Sequence, residues 1–191
     1  MPRRRIPLRH NHRRIRRTPA PTPTLPSRRW TSVHSVSQSR PRRATRDDVD
    51  GIVRLVTSAF GKYVDRIGRP PAPMTADYAE LLETSRVWVV DDGEDIVGVL
   101  VTQARPDHLL LDVVAVAPTA QGGGHGRALL ALADQDAREQ GLAEIRLCTN
   151  EAMTENLEFY PRRGFRETGR AVQDGFHRVF FAKPVTGAPP R

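Results

Sequence analysis

Gln121-Gly-Gly-Gly-His-Gly126 separates an apolar run, Leu109-Leu-Leu-Asp-Val-Val-Ala-Val116, from a segment whose Leu129, Leu130, Ala133 and Ala137 recur at helical spacing. A strand that ends in glycines at a helix start presents several bare backbone N–H groups at one place. Such a turn can hold anionic oxygens without a metal, because the N–H groups converge and the helix dipole is positive there. The spacing narrows the ligand. No Gly-Lys-Ser/Thr follows, which excludes a nucleoside-triphosphate loop. In a dinucleotide fingerprint the third glycine would fall on Arg127, which excludes that ligand too. Two readings remain: a flexible strand–helix turn, or a pyrophosphate site on the N–H groups of 122–127.

Charge divides the chain of 191 residues. Residues 1–46 hold 14 arginines, no lysine and no acid, whereas 47–191 hold 16 basic and 22 acidic residues. The net charge of +8 therefore hides an acidic domain behind a basic extension. Residues 1–40 show no helical or strand period, and Pro19, Pro21, Pro23 and Pro26 lie among Thr, Ser and Arg. The composition predicts a disordered Arg/Pro-rich extension, since it offers little to bury against its ordering entropy. It reads as a tail for nucleic acid or another anionic surface, as a targeting peptide, or as a product of where translation is taken to begin. On that last reading Val33 or Val36 would be the start, and the excess of 28 Arg over 2 Lys would reflect a GC-rich coding sequence. A nucleic-acid role would rest on this tail alone and is not expected of the protein. No apolar run approaches the ~20 residues of a membrane span, and the extension lacks the apolar core of a secretory signal, so a cytoplasmic protein without membrane association is expected. Cys148 is the only cysteine and reads as a buried strand residue, and the six histidines form no metal-ligand spacing.

The domain is expected over 41–184, with 185–191 as a flexible tail. Pro41–Ala44 reads as a short strand. Thr45 with Asp48 makes a capping box for a helix with Val49, Ile52, Val53, Val56 and Phe60 on its apolar face, ending at Gly61. Tyr63–Met74 carries Pro70, Pro71 and Pro73 and reads as a non-helical loop. Thr75 is expected to cap a second helix, through Glu83. Strands follow at Arg86–Val90 and Ile96–Thr102, joined by a hairpin turn with Gly93 at the positive-φ position. A fourth strand ends at Val116, and a helix runs from Gly124 to Gln140. Then come a strand at Glu144–Thr149, a short helix at Glu155–Tyr160, and a closing strand pair at Phe165–Thr168 and Phe176–Ala182. The order predicts an α/β (α+β) domain: a mixed sheet with helices on both faces.

Gln121-x-x-Gly124-x-Gly126 resembles the acetyl-CoA motif of the GNAT acyltransferase superfamily and stands where that family places it. Asn150-Glu-Ala-Met-Thr-Glu-Asn-Leu-Glu-Phe-Tyr-Pro-Arg-Arg-Gly-Phe165 resembles its second signature. The likeness covers roughly 42–183. It implies a mostly antiparallel sheet of six to seven strands flanked by about four helices. It implies acetyl-CoA as co-substrate, with no metal. Backbone of Val114, Ala115 and Val116 would pair with the pantetheine arm and polarise the thioester. Gln121, Gly122, Gly123, Gly124, His125, Gly126 and Arg127 would hold the pyrophosphate. Asn156 would contact the cofactor, and Tyr160 would protonate the departing thiolate. Pro161 departs from helical pattern and is expected to kink the chain at Tyr160.

The acceptor would be an amine of a small molecule or peptide. Asp112, beside the polarising strand, is the first candidate base, with Glu83, Asp65 and His108 as alternatives. Tyr63, Arg66 and Arg69 fall in the segment that shapes the acceptor pocket in proteins of this kind, and the two arginines would suit a carboxylate or phosphate. Dimers are common among such proteins, and the sequence leaves the oligomeric state open. A non-catalytic acyl-CoA sensor and a nucleic-acid binder are the alternative functions.

Overall fold

The computed structural model describes residues 40–187; the expectations for the Arg/Pro-rich extension and the last residues of the C-terminal tail lie outside them. The strands are β1 (Arg42–Arg43), β2 (Arg86–Asp91), β3 (Ile96–Ala104), β4 (Leu109–Val116), β5 (Glu144–Asn150), β6 (Arg166–Gln173) and β7 (Phe176–Pro184). The helices are α1 (Val49–Phe60), α2 (Val64–Ile67), α3 (Tyr78–Thr84), α4 (His125–Glu139) and α5 (Thr154–Phe159). A seven-stranded sheet runs in the order β1-β2-β3-β4-β5-β7-β6. Its neighbours are antiparallel except β4 and β5, which run parallel.

The central strands are buried on both faces, which is why β3 is almost continuously apolar, whereas the edge strand β6 is exposed along its length. On one face Leu109, Leu111, Ile145, Leu147 and Phe181 pack against Leu129, Leu130 and Ala133 of α4. On the other, Val87, Val89, Val99, Val113 and Ala115 meet Ile52, Leu55 and Val56 of α1 and Tyr78 of α3. Leu109 and Leu111 thus share one face, but Val113 and Ala115 lie on the other. The cause is a bulge. Val101 pairs with Val113 and Thr102 with Leu111, which leaves Asp112 without a partner on β3. The extra residue reverses the alternation and turns the strand.

The capping box forms: Thr45 N donates to Asp48 Oδ2 at 2.7 Å and Thr45 Oγ1 to the same oxygen at 3.0 Å. Arg42 grips both Asp48 oxygens at 2.8 Å and holds the carboxyl well below its usual range. Several expected details differ. The buried face of α1 is Ile52, Leu55, Val56 and Ala59, whereas Val53 is exposed. Gly61 closes α1, but the chain stays helical through Ile67, and Gly68 at φ 80° is the left-handed stop. The prolines begin only at Pro70, so nothing forbids helix over 61–67. Asp77, not Thr75, caps α3, accepting from Ala79 N and Glu80 N at 2.9 and 3.1 Å. Thr75 instead closes the preceding turn on the Ala72 carbonyl.

Asp136 of α4 is buried at the sheet. It accepts from Thr102 Oγ1 at 2.5 Å, from Gln140 Nε2 at 3.0 Å and from Arg86. Asp136→Ala would orphan the buried Thr102 hydroxyl, while the half-exposed Arg86 rehydrates. It is expected to lower the unfolding free energy by about 2–3 kcal/mol, read by urea denaturation.

Candidate active site

β4 and β5 pair only at Leu109–Ile145 and Leu110–Arg146. The bulge at Asp112 turns β4 away, and from Leu111 and Leu147 onward the two strand edges diverge. The gap opens into a cavity of about 510 Å³ between the halves of the sheet. Backbone from Leu111 to Val116 forms one wall, Cys148 to Asn150 the other. Unpaired N–H and C=O groups of a splayed strand can receive another amide-bearing chain.

The glycine turn stands at one end of this cleft. Gly122 and Gly124 hold φ of 85° and 88°, a left-handed conformation that side chains resist. Alternating with ordinary residues, they curve the backbone into a nest of N–H groups. Gly124 is the N-cap of α4 and offers no side chain to its first N–H groups. The first turn carries no acid, so the N-terminal dipole is free to attract an anion. Gln121, Gly122, His125 and Gly126 line the cavity; Gly123, Gly124 and Arg127 do not. The Gln121 carboxamide is already used: Nε2 donates to the Val116 carbonyl at 3.1 Å and ties the turn to β4.

Tyr160 follows α5, buried to 6% exposure, and lines the same cavity. Its ring sits among Phe159, Phe165 and Phe181 at centroid distances of 5.5, 5.7 and 5.6 Å. The expected kink is absent. Tyr160 keeps α geometry (φ −67°, ψ −43°) and Pro161 opens a tight turn that ends at Gly164. The aromatic packing outweighs the steric bias that proline imposes on its predecessor. Burial pushes the phenol above its ordinary range, with Cys148 and Tyr63 adding to the effect. Asn156 donates from Nδ2 to Thr149 Oγ1 at 2.9 Å, which joins α5 to β5 at the cleft.

Asp112, Tyr63 and Phe60 also line the cavity. Asp112 is solvent-accessible within the cleft, and the surrounding apolar walls raise its carboxyl, while Arg105 and Arg178 act the other way. Glu83, Asp65 and His108 are not on the cavity wall. Nor are Arg66 and Arg69. Arg66 Nη1 bonds Glu155 at 2.9 Å and stacks over the Tyr63 ring. Arg69 donates to the Asp174 carbonyl and lies 3.5 Å over Phe176. Both arginines brace the rim and have their charges or donors engaged. Sequence reasoning missed Arg178, Phe176 and Cys148, which line the cavity from β7 and β5. Phe176 and Arg178 stand two residues apart on β7, the one signal in the sequence; the register that sets Arg178 opposite Asn150 of β5 is seen only in the fold.

Residues 83–167, which hold the bulged strand, the glycine turn and Tyr160, match a family model described as an acetyltransferase (GNAT) domain. That segment carries the match to the GNAT family. A GNAT-family protein from Desulfovibrio desulfuricans superposes with a TM-score of 0.63 at 24% identity, over 76% of this chain and 98% of its own. The ribosomal-protein-S18-alanine N-acetyltransferase of Escherichia coli reaches 0.63 at 20% identity, over 80% and 97%. A GNAT acetyltransferase from Elizabethkingia anophelis, solved with acetyl-CoA bound, reaches 0.57 at 16%, over 78% and 99%. At these identities the likeness establishes the GNAT fold. No curated protein sequence matches significantly. Among the described residues no cluster of His, Cys, Asp or Glu could hold a metal, and no helix is long and apolar enough to cross a membrane.

Proposed function

We propose that this GNAT domain transfers the acetyl group of acetyl-CoA to an amine. The observation that carries the reading is the joining, in one cavity, of an uncapped glycine turn, an unpaired strand edge and a buried phenol. Each meets a different part of the donor. N–H groups at Gly122–Gly126 suit a pyrophosphate. The free edge of Val114–Val116 suits the amides of a pantetheine arm and would polarise a thioester carbonyl lying against it. Tyr160, on the wall of the same cavity, would supply a proton to the departing sulfur. Fit to acetyl-CoA is supported by the bound acetyl-CoA of the Elizabethkingia protein.

The proton inventory follows from this chain's groups. An ammonium acceptor loses a proton toward Asp112, directly or through water, and its nitrogen attacks the thioester carbonyl. The N–C bond forms, the C–S bond breaks, and the nitrogen gives up its second proton to solvent. The departing thiolate takes the Tyr160 proton, so the products are an N-acetyl amine, CoA thiol and, once Tyr160 and Asp112 return to their starting forms, one released proton. Direct transfer needs both substrates bound together, a requirement that one continuous cavity supports. Release of CoA thiol from acetyl-CoA on addition of an amine panel tests this reading. Amine-dependent release supports it. Tight binding without release would favour an acyl-CoA sensor. The acceptor panel should include amino acids, polyamines, aminoglycosides and peptide N-termini.

A further inference from the structure

Arg178 lies on the wall of the cleft and has no part in the transfer chemistry above. Its side chain is one-fifth exposed. Nη1 donates to Cys148 Sγ at 3.2 Å, a weak acceptor. Nη2 is 3.5 Å from an Asp174 oxygen, but that side chain is 73% exposed, so water screens the pair. Nε is buried with no partner among the described residues. The guanidinium also lies 5.5 Å from the Phe176 ring centroid, a cation–π contact beside the cavity. A guanidinium cannot shed its charge, and a largely buried one that lacks good acceptors is costly until an anion completes it. Arg66 and Arg69 differ in having their donors engaged at the rim.

Asp112 faces the same space, and the two charges act on each other. The acceptor half of the cleft therefore presents a carboxylate and an under-satisfied guanidinium between the apolar walls of Phe60, Pro71 and Pro73. We infer that the acceptor is a small amine that also carries a carboxylate, its amine directed to Asp112 and its carboxylate held by Arg178. This rests on the acetyl-transfer reading of the same cavity and names its substrate class. The planar guanidinium matches a carboxylate in a way an ammonium does not.

The test is calorimetric titration of the CoA-loaded protein with free amino acids and with the same amino acids as carboxamides. Free acids are expected to bind at least about tenfold tighter, as a charge-assisted contact implies. Arg178→Gln should erase that preference, Arg178→Lys should keep part of it, and CoA affinity should be the same in all three proteins. Equal binding of acids and amides overturns the inference, as does the absence of acid binding while CoA binds. Either result leaves acetyl transfer to another amine intact. Failure of the wild-type protein to bind CoA instead removes the acetyl-transfer reading and this inference with it.

Discussion

Tyr160→Phe is expected to lower kcat about 100-fold or more while the acetyl-CoA dissociation constant stays unchanged, because one proton donor to the leaving group is lost. The substitution removes only an oxygen. The ring contacts with Phe159, Phe165 and Phe181 persist, so the core around α5 is preserved. Burial holds the phenol protonated at neutral pH, the form that can donate to a thiolate. The hydroxyl has no hydrogen-bond partner among the described residues, which leaves it available to the sulfur. Steady-state kinetics with calorimetry separates the two constants. An unchanged kcat would remove Tyr160 from the proton inventory.

Asp112→Asn is expected to lower kcat/KM about 100-fold or more, through loss of the proton acceptor for the amine. The pH profile carries a second signature. Asp112 accepts a proton only when ionised, and its carboxyl is raised by burial. The acid limb of the wild-type profile should therefore lie above the ordinary carboxylate range and vanish in the variant. The sign for stability runs the opposite way from a salt-bridged acid. A carboxyl raised in the folded state makes the protein less stable as pH climbs through the folded value. Asp112→Asn should thus be no less stable than the wild type at neutral pH. Asp48, held down by Arg42, behaves conversely: its contribution is present above the usual carboxylate range and fades as pH falls below it. A variant that loses activity together with stability would mark Asp112 as structural.

The glycine end of the cleft was legible because it is local. The glycine turn, the strand before it and the apolar stripe after it lie within 109–137, and their spacing is a property of neighbouring residues. The Thr45–Asp48 box and the Gly93 turn were legible for the same reason. The end lined by Asp112 and Arg178 was not, because it depends on pairing between distant segments. No periodicity shows that Arg66 meets Glu155 across 89 residues, or that Asp174 accepts from Arg69 across 105. Both arginines read as open cations until their partners are seen. Arg178 is the reverse case: an ordinary strand position in sequence, but a poorly satisfied charge once β5 and β7 pair. The bulge at Asp112 left the apolar run Leu109–Val116 looking continuous, since both faces of that strand are buried. The backbone geometry of Tyr160 was set by tertiary packing that overrode the local bias of Pro161.

Titration of acetyl-CoA into wild-type protein and Gly124→Val, side by side, tests the central claim most directly. Gly124 sits at φ 88°, where a β-branched residue is strained by about 1–2 kcal/mol or more. An added Cβ meets no protein atom within 4 Å, so the damage falls on the conformation of the turn and not on the core. The account predicts one-to-one binding to the wild type and an affinity at least about tenfold weaker for the variant, as strain of that size implies. Identical affinities, or no binding to the wild type, would contradict it.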